Sequence, residues 1–407
     1  MRTFIIALLI LAQVQARLVW EHSTGNQNPQ ALIVNQKSLK YLHVASIGGG
    51  VKTLRIDGEK PQEVAQITRQ QLGGLDATNL WQHDDLLLVS LGNFFQKEIH
   101  AGLAVLDISN PARMKLLGIW KSAKPMRGSA VVVCDSKAHY AYLGMMNFGV
   151  ATIDISKTKA PKLVSIFQPD IHFPKKNPNP IQRPNARGMA LKGKTLFVCN
   201  DAGGIRTLDI SVPEKPREIA RYINKKMGDK PSAYNNIQIH GDLAYAAIDY
   251  AGLEVLDIRH PKKIKQVAWL NPWSAEKNSN IWFNSPGHTN QIAFDPRRKM
   301  LHLSAGDSEL VTIDISNPKK LKRLPGYGKP KNSQGVWGLC SQGDTVYLGY
   351  IKTIIPFKGS WAGIRAVKTE KSIGSSSLWN LPISRFCGCS QSPFSRFLIR
   401  NETPRRL

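Results

Sequence analysis

The chain has 407 residues, 42% apolar and 21% charged, with 55 Lys and Arg against 29 Asp and Glu, a formal charge of +26. This is not a disordered composition, and five scattered cysteines are too few for a disulfide framework. The basic excess runs along the whole chain and favours anionic partners, but no DNA- or RNA-binding motif accompanies it, so nucleic acid is not the expected partner.

The N-terminus reads as a secretory signal over residues 1–16. Arg2 supplies the positive start, Phe4 to Ala12 the apolar stretch, and Val14-Gln15-Ala16 the small residues before cleavage. The apolar stretch is far below the ~20 residues of a membrane-spanning helix, and no later segment is long and apolar enough. The expectation is a periplasmic or secreted protein.

Next comes a repeat. A glycine or small residue, three or four alternating apolar residues, then Asp-Ile-Ser-x-Pro recurs along the chain. A worn first copy is Val51-Lys-Thr-Leu-Arg-Ile-Asp57. It is followed by Gly102-Leu-Ala-Val-Leu-Asp107-Ile-Ser-Asn-Pro111, Gly149-Val-Ala-Thr-Ile-Asp154-Ile-Ser156 and Gly204-Ile-Arg-Thr-Leu-Asp209-Ile-Ser-Val-Pro213. Then come Gly252-Leu-Glu-Val-Leu-Asp257-Ile-Arg-His-Pro261 and Leu310-Val-Thr-Ile-Asp314-Ile-Ser-Asn-Pro318. The six aspartates stand 50, 47, 55, 48 and 57 residues apart, which suits one four-stranded propeller blade per unit. In the unit around Asp257 the turn signals mark strands at 236–240, 243–248, 253–258 and 264–270. Each aspartate ends a third strand, where its side chain can accept backbone N–H bonds in an Asx turn. That role makes six equivalent catalytic aspartates a poor reading.

Residues 333–339, 344–350 and 362–368 read as three strands of a seventh unit, and Leu18 to His22 supplies a candidate fourth. A strand from one terminus completing a blade from the other removes both exposed edges. The predicted fold is an all-β closed propeller over 17–369 with seven four-stranded blades, six or eight being the alternatives, and the expected state is a monomer.

These units resemble LVIVD repeats, found in propellers of bacterial and archaeal envelope and secreted proteins. The resemblance covers roughly residues 31–368. It implies the fold and an envelope or extracellular setting, but no activity. The first unit departs from it with Gly58-Glu59-Lys60 after Asp57, and the seventh lacks the aspartate. Cys134, Cys199 and Cys340 end alternating runs and read as core residues. Residues 371–407 show no alternation and read as a basic disordered tail.

Propeller ligands usually sit where the second-to-third-strand loops and the between-blade loops converge. Here those loops carry Asn93, Asn147, Asn200, Asp201, Asp249, Tyr250 and Asp307, and the entries to first strands carry Arg127, Asn185, Arg187, Asn235, Asn236, His288, Asn290 and Gln334. Asn and Asp beside Gly are also ordinary turn residues. Arg127, Arg187 and His288 stand out because each precedes an innermost strand. Two long connections, 168–185 with Phe173, Lys175 and Lys176, and 271–287 with Trp273, Trp282 and Phe283, read either as functional lids or as caps folded back on the ring.

No catalytic motif of the familiar kinds is present. The reading is a non-catalytic binding or scaffold propeller without cofactor. Its expected partner is an envelope or extracellular polyanion or glycan, or another envelope protein, held at the loop rim. The alternative is a metal-dependent, lactonase-like hydrolase with Asp201, Asp249 and Asp307 on a cation such as Ca.

Overall fold

The computed structural model describes residues 16–93, 95–96, 98–176, 184–227, 233–249, 251–272, 288–329, 332–354 and 357–369. The signal-peptide reading (apart from Ala16), the tail, Tyr250, Trp273, Trp282 and Phe283 lie outside them.

Seven four-stranded antiparallel sheets form the seven blades of a β-propeller, with no α-helix among the described residues. The innermost strands of blades 1 to 7 are Asn28–Val34, Ala77–His83, Val131–Cys134, Gly188–Lys192, Ala233–His240, Thr289–Asp295 and Val336–Gln342. Blade 5, whose boundaries the sequence anticipated closely, continues with Leu243–Asp249, Gly252–Asp257 and Lys265–Leu270. The ring closes as the terminal strands predicted. Arg17–Ser23 pairs antiparallel with Gly363–Lys368, so it is the outer strand of blade 7, whose remaining strands are Val336–Gln342 and Thr345–Tyr350. Trp20 seals this seam, 9% exposed, with its ring 5.8 Å from that of Tyr347. A small hairpin, Thr353–Ile354 with Phe357–Lys358, is inserted between the second and third strands of this blade and was not anticipated.

The repeat residues do what turn chemistry requires. Asp107, Asp154, Asp209, Asp257 and Asp314 each accept the backbone N–H two residues on, at 2.8–3.0 Å. Bonds from Ser211 and from Arg259 hold the Asp209 and Asp257 carboxyls down to about 2. The repeat glycine has its own reason. At Gly149, Gly204 and Gly252 φ is +85, +73 and +80, and a Cβ would stand 2.0–2.3 Å from a carbonyl oxygen of the fourth strand. In blade 6 Glu309 takes this place at φ +57, and Gly328 leaves the room its carboxylate occupies.

Apolar side chains from facing blades form the core between them, Cys134 and Cys199 included. Burial pushes the Cys134 thiol up to about 12. One repeat position breaks the apolar pattern. The residue after Gly-Leu/Ile/Val is Lys52, Arg206, Glu254 and Arg365 in blades 1, 4, 5 and 7, and each is bonded within or between blades. Arg206, 1% exposed, reaches Glu218 at 3.0 Å and the carbonyls of Gly203, Asp170 and Phe173, with its guanidinium 4.8 Å over the Phe173 ring. Glu254, fully buried, accepts from Tyr222 and Tyr234 at 2.6 and 2.9 Å. Arg365 lies between Glu21 and Glu309 and over Tyr350 and Trp361. Arg206 therefore fastens the described part of the first long connection, and Phe173 folds back onto the ring as a cap. Lys175 and Lys176 follow it along this connection.

Two outcomes follow. Trp20→Ala should lower stability by about 3 kcal/mol in urea unfolding, the usual cost of emptying a large aromatic site, because it opens the closing seam. Arg206→Ala should cost about 3–5 kcal/mol, since it leaves Glu218 short of a buried partner, and limited proteolysis should then cut sooner within 168–176.

Candidate functional site

Each innermost strand is the open end of its sheet and borders the central channel. Its first residues lie at the face formed by the second-to-third-strand and between-blade loops. A register shift recurs there, between Pro29 and Ala31, Ala77 and Asn79, Tyr234 and Asn236, Thr289 and Ile292, and Val336 and Gly338. A bulge of this kind adds one residue and re-aims its side chain. The residues so placed are Gln30, Thr78, Asn235, Asn290 with Gln291, and Trp337, and all but the half-buried Gln291 are at most 6% exposed.

Trp337 closes the channel. Its ring is 5.6 Å from Phe95 of blade 2 and 5.8 Å from His288 before blade 6, with the Arg187 guanidinium of blade 4 at 5.7 Å. It shares an apolar cluster with Ala130, Met146 and Ile351. Around it lies a cavity of about 20 Å3 lined by Thr78, Arg187, Asn235, Asn236 and Asn290, room for about one water.

The acids sit beside this plug. Asp201 is 4% exposed, accepts from Asn185 at 3.1 Å and lies 3.9 Å from Arg187, while its second oxygen has no hydrogen-bond partner. Burial pushes its carboxyl up to about 6, against the pull of Arg187 and Asn185. Asp249, 2% exposed, stands 2.5 Å from His288 Nδ1. Buried polar atoms without a hydrogen-bond partner gather here as well, on Asn147, both amide atoms of Asn200, Asn235 and Asn236.

The structure thus brings together Arg187, Asp201, Asn235, Asn236, Asp249, His288 and Asn290 of the residues expected at the rim. Others do local work. Asn93 bonds Asp76 at 3.0 Å, and Gln334 bonds Ser360 at 3.1 Å. Arg127 is half-buried where its backbone bridges to Ile99, and it does not line the cavity. Asp307 lies half-buried in the turn of blade 6. Among the described residues no group of three or more His, Cys, Asp or Glu could hold a metal ion. Sequence reasoning missed Trp337. The signal was there, a lone tryptophan in an innermost strand between Val336 and Gly338, but its aim depends on the bulge.

An LVIVD-repeat model matches residues 99–121, 233–263 and 304–322, the units around Asp107, Asp257 and Asp314. The chain carries LVIVD repeats and folds as a seven-bladed β-propeller. No curated protein matches it in sequence. Among solved structures this propeller is similar to the WD40 repeats of RRP9, at 9% identity over 87% of this chain and 97% of that one, with a TM-score of 0.62. It is similar to the Cps50 (Swd1) propeller domain of Myceliophteria thermophila at 11% identity over 87% and 100%, TM-score 0.57. Saccharomyces cerevisiae Sqt1 follows at 8% over 83% and 84%, TM-score 0.55. Identities this low speak for the fold alone. No helix among the described residues is long and apolar enough to cross a membrane.

The raised Asp201 carboxyl has a testable sign. Between its unfolded value near 4 and about 6, the folded chain holds a proton the unfolded chain has lost, so this group lowers stability as pH rises across that window. Asp201→Asn should therefore gain on wild type from pH 4 to pH 7 by up to ~3 kcal/mol in paired denaturant titrations.

Proposed function

We propose that this chain is an exported, non-catalytic binding propeller that holds an anionic or sugar-bearing ligand at the loop face of its channel. The observation that carries the reading is the convergence of Arg187, His288 and Trp337 from blades 4, 6 and 7 on one point. An indole flanked by a guanidinium and an imidazole suits a sugar ring bearing an acid group. The unpartnered amide atoms of Asn200 and the unpartnered Oδ1 of Asn235 are a ready donor and acceptors for hydroxyls. The +26 charge draws polyanions to the surface. Export rests on Arg2, the apolar stretch from Phe4 and the Val14-Gln15-Ala16 site. Metal-dependent hydrolysis through Asp201, Asp249 and Asp307 draws no support from the described residues.

The test is binding to a polyuronate such as alginate, by calorimetry at ~50 mM and ~500 mM salt, with Arg187→Ala and Trp337→Leu beside the wild type. The expected result is a salt-resistant component that falls about tenfold in each variant. Binding that vanishes at high salt and is equal in all three proteins would leave only a basic surface.

A further inference from the structure

Below the Trp337 plug the channel widens into a chamber of about 470 Å3, the size range of small-molecule sites. All seven innermost strands wall it. The lining runs to their far ends, reaching Ile33, Trp81, Val133, Leu191, Ile239, Phe294 and Ser341, so the chamber belongs to the face opposite the loop rim. Most of these end residues are half-buried rather than buried, as walls reached by solvent are. In a chain with 55 Lys and Arg, no Asp, Glu, Lys, Arg or His among the described residues lines this chamber. An ion entering it would leave water without meeting a counter-charge.

The wall pairs two kinds of surface. Trp81 and Phe294 bring half-buried aromatic side chains to the wall, each also packed between blades, with the Phe294 ring 4.9 Å from that of Tyr245, and Ile33, Leu191 and Ile239 complete the apolar part. The innermost strands also turn open edges to the lumen, and amide side chains stitch those edges together. Gln238 donates to the Ile292 carbonyl at 2.6 Å, and Gln291 bonds Gln30 O and Leu339 N at 2.7 and 3.0 Å. Asn236 lines the chamber and its Oδ1 is buried with no hydrogen-bond partner. We infer that this chamber is a second binding site, on the face opposite the loop rim and sharing Asn79, Asn236 and Gln291 with the cavity around Trp337, for an uncharged small molecule that has a flat ring and hydrogen-bonding hydroxyls or amides. The ring lies on the aromatic walls, and a donor on the molecule satisfies Asn236 Oδ1.

A matched pair of probes tests this. 4-Nitrophenyl glucoside and 4-nitrophenyl phosphate share the ring and differ in charge. Binding to the full chain is followed by calorimetry and by quenching of tryptophan fluorescence. The glucoside should bind and the phosphate ester should bind at least about tenfold more weakly, the order of penalty for an uncompensated polar mismatch. Asn236→Leu should weaken the glucoside by a similar factor with an unchanged melting temperature. Ile239→Lys, a half-buried position from which a lysine reaches water, should reverse the preference toward the phosphate ester. The inference is overturned if wild type does not bind the glucoside, or if the phosphate ester binds as tightly. It is also overturned if Asn236→Leu melts normally and keeps wild-type affinity. Should Asn236→Leu not fold, the wild-type pair and Ile239→Lys decide.

Discussion

A propeller blade is a sheet with two apolar faces and two open edges, and neither is tolerable in water alone. Stacking the blades in a ring buries the faces, but only if the last blade meets the first. Here that meeting depends on the ladder between Arg17–Ser23 and Gly363–Lys368. The ends of the described ring are tied by the same kind of hydrogen bonds that hold each sheet, and every inter-blade core inherits its geometry from that closure. The inner edges receive a different treatment. Side chains of one innermost strand bond the backbone of another, as Gln238 does to Ile292 and Gln291 does to Gln30 and Leu339, so the lumen is lined by partly satisfied edges.

Polar groups buried between blades add specificity to this arrangement. Arg206, Glu254 and Arg365 lie where blades 2, 3 and 6 have Ala104, Ala151 and Val311, Glu309 stands where other units have glycine, and each finds partners outside its own strand. Leaving one partner behind costs more than the pair contributes, so these clusters act against a ring assembled in the wrong order. His43 and His302, at equivalent places in blades 1 and 6, are pushed by burial down to about 4 and about 3, and each bonds a threonine of the third strand as a neutral ring.

Much of the fold was legible because its signals are local. The Asx turn at Asp107 or Asp209 needs only the next two residues, and the repeat glycine needs only the crossing carbonyl. The closing strand was legible from a count of three strands at one end and a spare at the other. The site was harder. A β-bulge is a relation between two strands, so nothing near Gln30, Thr78 or Asn235 announces it, and nothing in the sequence singles out Trp337 within its strand. Loop position alone places all the expected residues at the rim. Position cannot tell Asn93, which is tied to Asp76, from Asn200, whose amide atoms lack hydrogen-bond partners. The charges at Arg206 and Glu254 were visible inside the repeat, but their meaning lies on other strands.

The tryptophan at the centre makes the propeller's axle hole a cup and not a pipe. A solute entering from the far face must leave by the same mouth, so residence there is governed by a single doorway. The two sides of that indole are chemically different settings, the loop side carrying Arg187, His288, Asp201 and Asp249 and the far side, among the described residues, no Asp, Glu, Lys, Arg or His. The two sides communicate through the side chains that grip that indole, Arg187, His288 and Phe95, and through Asn79, Asn236 and Gln291, which line the space on both.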